Sequence, residues 1–231
     1  MNFKKHLEVS GGHAIFGASQ SAWLRYDEEK MVERVNSLFA KNLGTEIHEF
    51  ARSQIDMKIR SRSIKSLKDS FMTYIYRKYF DEEKDCLSPY GEKLLSGISR
   101  MSKDILTTVQ MYINDCIGYV MTTEQKLVYD PVYFFGTADA ICYRDNILRI
   151  FDLKSGRLQA HMDQLLVYVA FFCLDYQIKP EELKQIDLRI YQNAQVACYE
   201  PSVEEIQTIM AKIIRDRKAL MDIFSEGGTQ L

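Results

Sequence analysis

Two aspartates and a lysine stand where a hairpin would bring them together. The segment Gly136-Thr137-Ala138-Asp139-Ala140-Ile141 is followed by Arg144-Asp145-Asn146 and then by Ile150-Phe151-Asp152-Leu153-Lys154. With Asp145-Asn146 as a two-residue turn, Asp139 falls directly opposite Asp152. Lys154 then falls opposite Thr137, on the same face. Facing carboxylates repel, and aspartate is disfavoured in strands. The other face, with Ala138, Ala140, Phe151 and Leu153, is a proper core face. A divalent cation between the acids gives this arrangement a purpose, and the lysine beside it would orient or deprotonate a water. The plain alternative is an exposed sheet face with ordinary charges, because short motifs recur by chance. Asp-Asn is also a weaker turn signal than Asn-Gly, and a three-residue loop would offset the acids diagonally.

The elements that must position these residues follow from patterning. Enrichment in Val, Ile, Tyr, Phe and Thr from Tyr119 to Lys154 predicts three strands, about 120–129, 132–143 and 147–154. A helix over roughly His161 to Tyr176, a strand Ile186 to Gln192 and a short strand Val196 to Tyr199 come next. Ser202-Val203-Glu204-Glu205 is a capping box for a final helix ending near Phe224. The first half reads as helical. Ser19 caps a short helix through Trp23 and Tyr26, and Gly44-Thr45 opens a helix holding His48, Phe50, Ala51 and Ile55. Ser88-Pro89 opens the longest helix, to about Tyr119, with Leu94, Ile98, Met101, Ile105, Val109 and Tyr112 at spacings of three and four. The fold class is therefore α/β (α+β), with the strands clustered in the second half. A single domain over residues 1–231 is expected, with 1–118 mainly helical and 119–231 holding the sheet.

Asp139 on one strand and Asp152-Leu153-Lys154 on the next resemble the PD-(D/E)XK nuclease superfamily. Further features are similar to its RecB-like exonuclease branch, which includes many phage-encoded members. Gly44-Thr45-Glu46-Ile47-His48 resembles that branch's helical histidine motif, and Gly136-Thr137-Ala138-Asp139 its GxxD pattern. Gln164-Leu165-Leu166-Val167-Tyr168 resembles its QxxxY motif, and Ile190-Tyr191-Gln192 is similar to the tail of phage members. The resemblance implies a restriction-endonuclease-like core, a central mixed sheet flanked by helices, with an N-terminal helical region. It implies a metal-dependent phosphodiesterase in which His48, Asp139, Asp152 and the main-chain carbonyl of Leu153 are metal ligands. Lys154 activates or positions the attacking water, Glu124 is a ligand through water or a second metal, and Gln164 and Tyr168 position substrate or shape the site. Such ligands suit Mg²⁺ or Mn²⁺. Each residue has an ordinary reading too. His48 would be a helix-terminus histidine, Glu124 part of a polar strand edge, and Gln164 with Tyr168 a hydrogen-bonded pair on one helix face. His161 and Asp163 lie outside the motif pattern and are expected to be solvated.

Composition narrows the partners. The 231 residues carry 30 basic and 32 acidic side chains, a net charge of −2 that gives no global pull toward nucleic acid. A local basic stretch, Arg52, Lys58, Arg60, Arg62, Lys65 and Lys68, follows the His48 helix. It is either a phosphate path or a solvated face. Tyr74, Tyr76, Tyr79 and Phe80 are expected to pack the helical lobe rather than stack bases. No apolar run of about 18 residues exists, so no membrane span is expected. Met1 to Val9 reads as neither a signal nor a transit segment. The five cysteines lack CxxC spacing, so reduced, mostly buried thiols in a cytoplasmic protein are expected, with no iron–sulfur cluster. No P-loop or GxSxG occurs.

The resemblance implies linear, end-dependent DNA as substrate, a phage single-strand annealing protein as a candidate partner, and a bacterial host cell as the setting. Two other readings stand beside the exonuclease. One is a non-catalytic protein that uses the fold to bind DNA or a partner. The other is a structure-selective or nicking endonuclease.

Overall fold

The computed structural model describes residues 16, 18–156 and 159–226; the reading of Met1 to Val9 lies outside them. The chain divides into two compact units, Met1–Thr45 and Glu46–Leu231. In the first, a 3₁₀ helix covers Ala18–Arg25. Asp27 then starts helix α1, Glu28–Asp56. Its Oδ1 accepts the Lys30 N–H at 2.8 Å, and Glu28 and Glu29 complement the helix dipole. The expected helix start at Gly44-Thr45 is thus corrected. Both residues lie inside α1, because Asp27 supplies the cap and one interior glycine costs only about 1 kcal/mol.

In the second unit α1 buries Ile47, Phe50, Ala51 and Ile55. Ser63 caps helix α2, Ile64–Tyr79, accepting the Ser66 N–H at 3.1 Å. Phe71 stacks on Phe50 with ring centroids 4.6 Å apart. Helix α2 is missing from the expectations above, although Leu67, Phe71 and Ile75, four apart and buried, carry its signal. A two-strand hairpin, β1 Phe80–Asp81 and β2 Cys86–Leu87, follows. Ser88 caps α3, Pro89–Ser99, as expected. The single long helix to Tyr119 is corrected to two. Ser102 caps a new helix, α4, Lys103–Gly118, accepting the Ile105 N–H at 3.3 Å. Apolar spacing runs through this break, and only the second serine cap marks it.

Five strands then form one mixed sheet in the order β3-β4-β5-β6-β7: Thr122–Asp130, Phe134–Arg144, Ile147–Leu153, Gln185–Gln192 and Gln195–Tyr199. Only β5 and β6 are parallel, joined through helix α5, Asp163–Tyr176. Asp145 and Asn146 have φ of 55° and 58°, the type I′ geometry that matches the strand twist. The predicted register follows, from Arg144 opposite Ile147 to Ala140 opposite Phe151.

Helices cover both faces of the sheet. On one lies α5, where Leu165, Leu166, Val169, Ala170, Phe171, Phe172 and Cys173 are all buried. Helix α6, Val203–Glu226, packs behind it. Only the serine half of its expected capping box forms. Ser202 Oγ accepts the Glu205 N–H, but the Glu205 carboxylate takes the Tyr199 hydroxyl at 2.7 Å. On the other face lies α4, where Tyr112 packs edge-on against Tyr191. Phe151 meets Tyr119 and Tyr191 there, and its complete burial contributes about 2–3 kcal/mol. All five cysteines are free; Cys116, Cys142 and Cys173 are buried, Cys86 and Cys198 exposed. Among the described residues no helix is long and apolar enough to cross a membrane.

Candidate active site

The β4–β5 ladder ends at Ala140–Phe151. One step further Asp139 faces Asp152, and here a side chain takes over from the backbone. Asp139 Oδ2 accepts the Leu153 N–H at 3.1 Å. That bond keeps the Asp139 carboxylate against the end of β5 rather than turned to solvent.

Asp152 is only 3 % exposed. Lys154 Nζ hydrogen-bonds its Oδ1 at 3.0 Å and lies 2.9 Å from Oδ2. The second approach is outside hydrogen-bonding direction, so Oδ2 remains a buried acceptor with no hydrogen bond. Burial first, and then the charge of Asp139, push the Asp152 carboxyl up to about 6, against the pull of Lys154 and His48. The Lys154 ammonium also donates to Gln164 Oε1 at 3.1 Å. An ammonium only donates, so the Gln164 oxygen must face it and the amide NH₂ turns to Tyr168, 2.9 Å away. The phenol oxygen is thereby an acceptor, and its own proton is left to donate. These four side chains form one continuous chain along β5 and the first turns of α5.

Helix α1 brings His48 from the other side, with Nδ1 3.3 Å from Asp139 Oδ2. Burial alone would lower the imidazole pKa; Asp139 and Asp152 together raise it above its ordinary value. Glu124 lies across the ladder from Asp139, since its neighbours Thr123 and Gln125 pair with Ala140 and Ala138. Its φ of 51° is a left-handed conformation in mid-strand, which costs a non-glycine residue about 1–3 kcal/mol. Burial and the charge of Asp139 push its carboxyl up, while Arg52 and His48 draw it down. The candidate residues from five elements, α1, β3, β4, β5 and α5, thus meet: His48, Glu124, Asp139 and the Asp152–Lys154–Gln164–Tyr168 chain.

The basic stretch behaves differently. Arg52 pairs with Asp56 at 3.6 Å. Lys58, Arg60, Arg62 and Lys65 make no hydrogen bond or ion pair with the acids, and Lys68 bonds the Ser99 carbonyl. His161 and Asp163 are exposed.

Two supporting residues, Gly136 and Gln192, were marked only through the resemblance, which gave neither a contact. A Cβ on Gly136 would stand 2.7 Å from Tyr168 Cε1, so the glycine makes room for the ring. Gln192 donates to the Gly156 carbonyl and accepts the Ala160 N–H, at 2.8 and 3.2 Å, and so bridges these two residues. The nearest hint for it is the Ile190-Tyr191-Gln192 resemblance.

Among the described residues no group of three or more His, Cys, Asp or Glu side chains is gathered to hold a metal ion. His48 instead contacts Asp139, and Asp152 contacts Lys154. The donor chemistry still fits a hard divalent cation: two carboxylates, one imidazole, and the unbonded Oδ2 of Asp152.

One family profile matches residues 13–224; its description reads "Protein of unknown function (DUF2800)". Among curated proteins and among solved structures, nothing matches.

Proposed function

The chain belongs to the DUF2800 family, whose description assigns no function, and we propose from its site that it is a metal-dependent DNA exonuclease of the PD-(D/E)XK superfamily, RecB-like branch. One observation carries the reading. Asp152 is a buried carboxylate opposite a second carboxylate, with one oxygen unbonded and a lysine fixed beside it. An acid in that setting is costly for a fold to keep, and a cation with a phosphate ligand makes use of it.

Asp139, Asp152, His48 and the Leu153 carbonyl would hold Mg²⁺ or Mn²⁺, with Glu124 at the edge of the set. When bound, the cation supplies charge that neutralises the scissile phosphate and makes a water more acidic. The remaining work falls to side chains of the chain itself. Lys154, held by Asp152 and Gln164, would orient the attacking water. Tyr168 offers its free O–H to a phosphate oxygen. Arg52, the nearest of the basic stretch, adds positive charge beside Glu124. In this reading the protein processes linear DNA ends, as in phage recombination in the cytoplasm of a bacterial host, with a single-strand annealing protein as partner.

A second reading is a non-catalytic DNA-binding protein on the same fold, in which His48 stays on Asp139 and Lys154 on Asp152, as these pairs stand here. Metal-dependent loss of linear DNA in the wild type, and not in Asp152→Ala, separates the two.

A further inference from the structure

A cleft of about 840 Å³ lies between α1 and α2, away from the acids. Its size is that of a ligand site. Gln54, on α1, lines it and is 8 % exposed. Its side-chain amide makes no hydrogen bond, and it is not among the buried atoms cut off from solvent. The amide is therefore held by packing and directed into the cleft. Its polar atoms reach the solvent of the cleft, where a ligand can take the place of water.

Helix α2 supplies the opposite wall. Ser66, Ser70 and Arg77 share a stripe, at spacings of four and seven, and the two serine hydroxyls have no protein partner. Lys65 and Arg77 also line the cleft without an ion pair among the described residues. They are twelve positions apart on one helix, about 18 Å along its axis. That separation spans several nucleotides of an extended strand and is too long for one phosphate group. Between them lies the Tyr74 ring, propped against Phe50 at 5.7 Å between centroids. Asp69 adds a carboxylate acceptor. An aromatic face, an amide able to donate and accept at a base edge, and spaced cations are the parts of a single-strand groove.

We propose that the α1–α2 cleft binds a short segment of single-stranded DNA, with a base against Tyr74 and Gln54 and phosphates several nucleotides apart on Lys65 and Arg77. The choice of nucleic acid rests on the nuclease reading. The cleft opens on a different side of α1 from His48, six residues before Gln54, so this strand contact is separate from the phosphate at the acids.

The test uses the full chain in chelator, where cleavage plays no part. Binding of a fluorescein-labelled oligo-dT is followed by anisotropy, with thymidine monophosphate and an oligouridine as further arms. Tight binding of oligo-dT, weakened about tenfold by Gln54→Leu and again by Lys65→Ala with Arg77→Ala, with a shallower salt dependence in the double variant, is the expected result. Gln54→Leu keeps shape and burial, and an unchanged melting temperature shows that the fold is intact. Oligo-dT binding unaffected by these changes, absent altogether, or no tighter than that of the mononucleotide would overturn the proposal. Preference for oligouridine would overturn the assignment to DNA. Because no cleavage is read, a protein that binds in this way but never cuts DNA would sink the nuclease reading alone.

Discussion

Tyr168 lies so close to Gly136 that a methyl group at residue 136 would stand 2.7 Å from the ring. A glycine on β4 and a tyrosine on α5 are therefore one feature: the glycine exists so that the ring can reach the acids. Gly136→Ala is expected to destabilise by about 1–3 kcal/mol through overpacking. In a chain of this size that lowers the melting temperature by about 2–4 °C per kcal/mol. Gly156→Ala is the control, since nothing lies within 4 Å of its added carbon. Equal melting temperatures for the two variants would count against the close approach.

The buried acid makes stability depend on pH. In the unfolded chain Asp152 loses its proton near 4; in the fold it keeps it to about 6. Across that window the folded state holds more protons, so stability falls as pH rises, by about 3 kcal/mol in all. His48, also raised, acts in the same direction above its ordinary value. In chelator the melting temperature should drop from pH 4 to pH 7, and Asp152→Asn should flatten the drop. Adding Mn²⁺ at pH 7 should restore stability to the wild type and not to the variant. A wild-type melting temperature indifferent to Mn²⁺ would speak against the metal site.

Lys154 and Gln164 should separate chemistry from binding. Lys154→Met removes the ammonium bonded to Asp152 and is expected to cut the turnover rate by about 10²–10⁴ while leaving DNA affinity nearly unchanged. Gln164→Ala frees the lysine without removing it, and a loss of about tenfold is expected. Single-turnover rates measured beside anisotropy titrations make the comparison. Equal losses of rate and affinity would assign both residues to binding.

The hairpin turn sets the register that pairs the acids. Asn146 has φ of 58°, and its side-chain oxygen accepts the Tyr143 hydroxyl at 3.1 Å. Asn146→Val places a β-branched residue in the left-handed region and should cost about 1–2 kcal/mol, whereas Asn146→Gly should be nearly neutral. Chemical denaturation of the two variants distinguishes them.

Legibility in the sequence followed the range of the interactions. The pairing of Asp139 with Asp152 was readable because a two-residue turn and a period of two determine it locally. The strands of the second half were readable from the same period of two, whereas their mixed order was expected only from the resemblance. Local signals also misled. Gly44 looked like a helix start and lies inside α1, and the apolar stripe from Leu94 to Tyr112 runs through a break that Ser102 makes. What no local pattern carries is contact between distant segments: Gly136 against Tyr168, Gln192 on the segment after Lys154, and the left-handed backbone at Glu124. Nor did the basic stretch reveal that Lys65 lines the cleft between two helices, since α2 itself went unread.

The central claim is cleavage of DNA ends by the Asp139–Asp152–Lys154 site. It is tested most directly by incubating end-labelled linear duplex, linear single strand and closed circular DNA with Mg²⁺, Mn²⁺ or chelator, for the wild type, Asp152→Ala and Lys154→Ala. The account predicts that the wild type degrades linear DNA only with metal, that both variants are inert, and that circles stay closed. Cut circles would make the protein an endonuclease, and intact DNA under every metal would contradict the catalytic assignment.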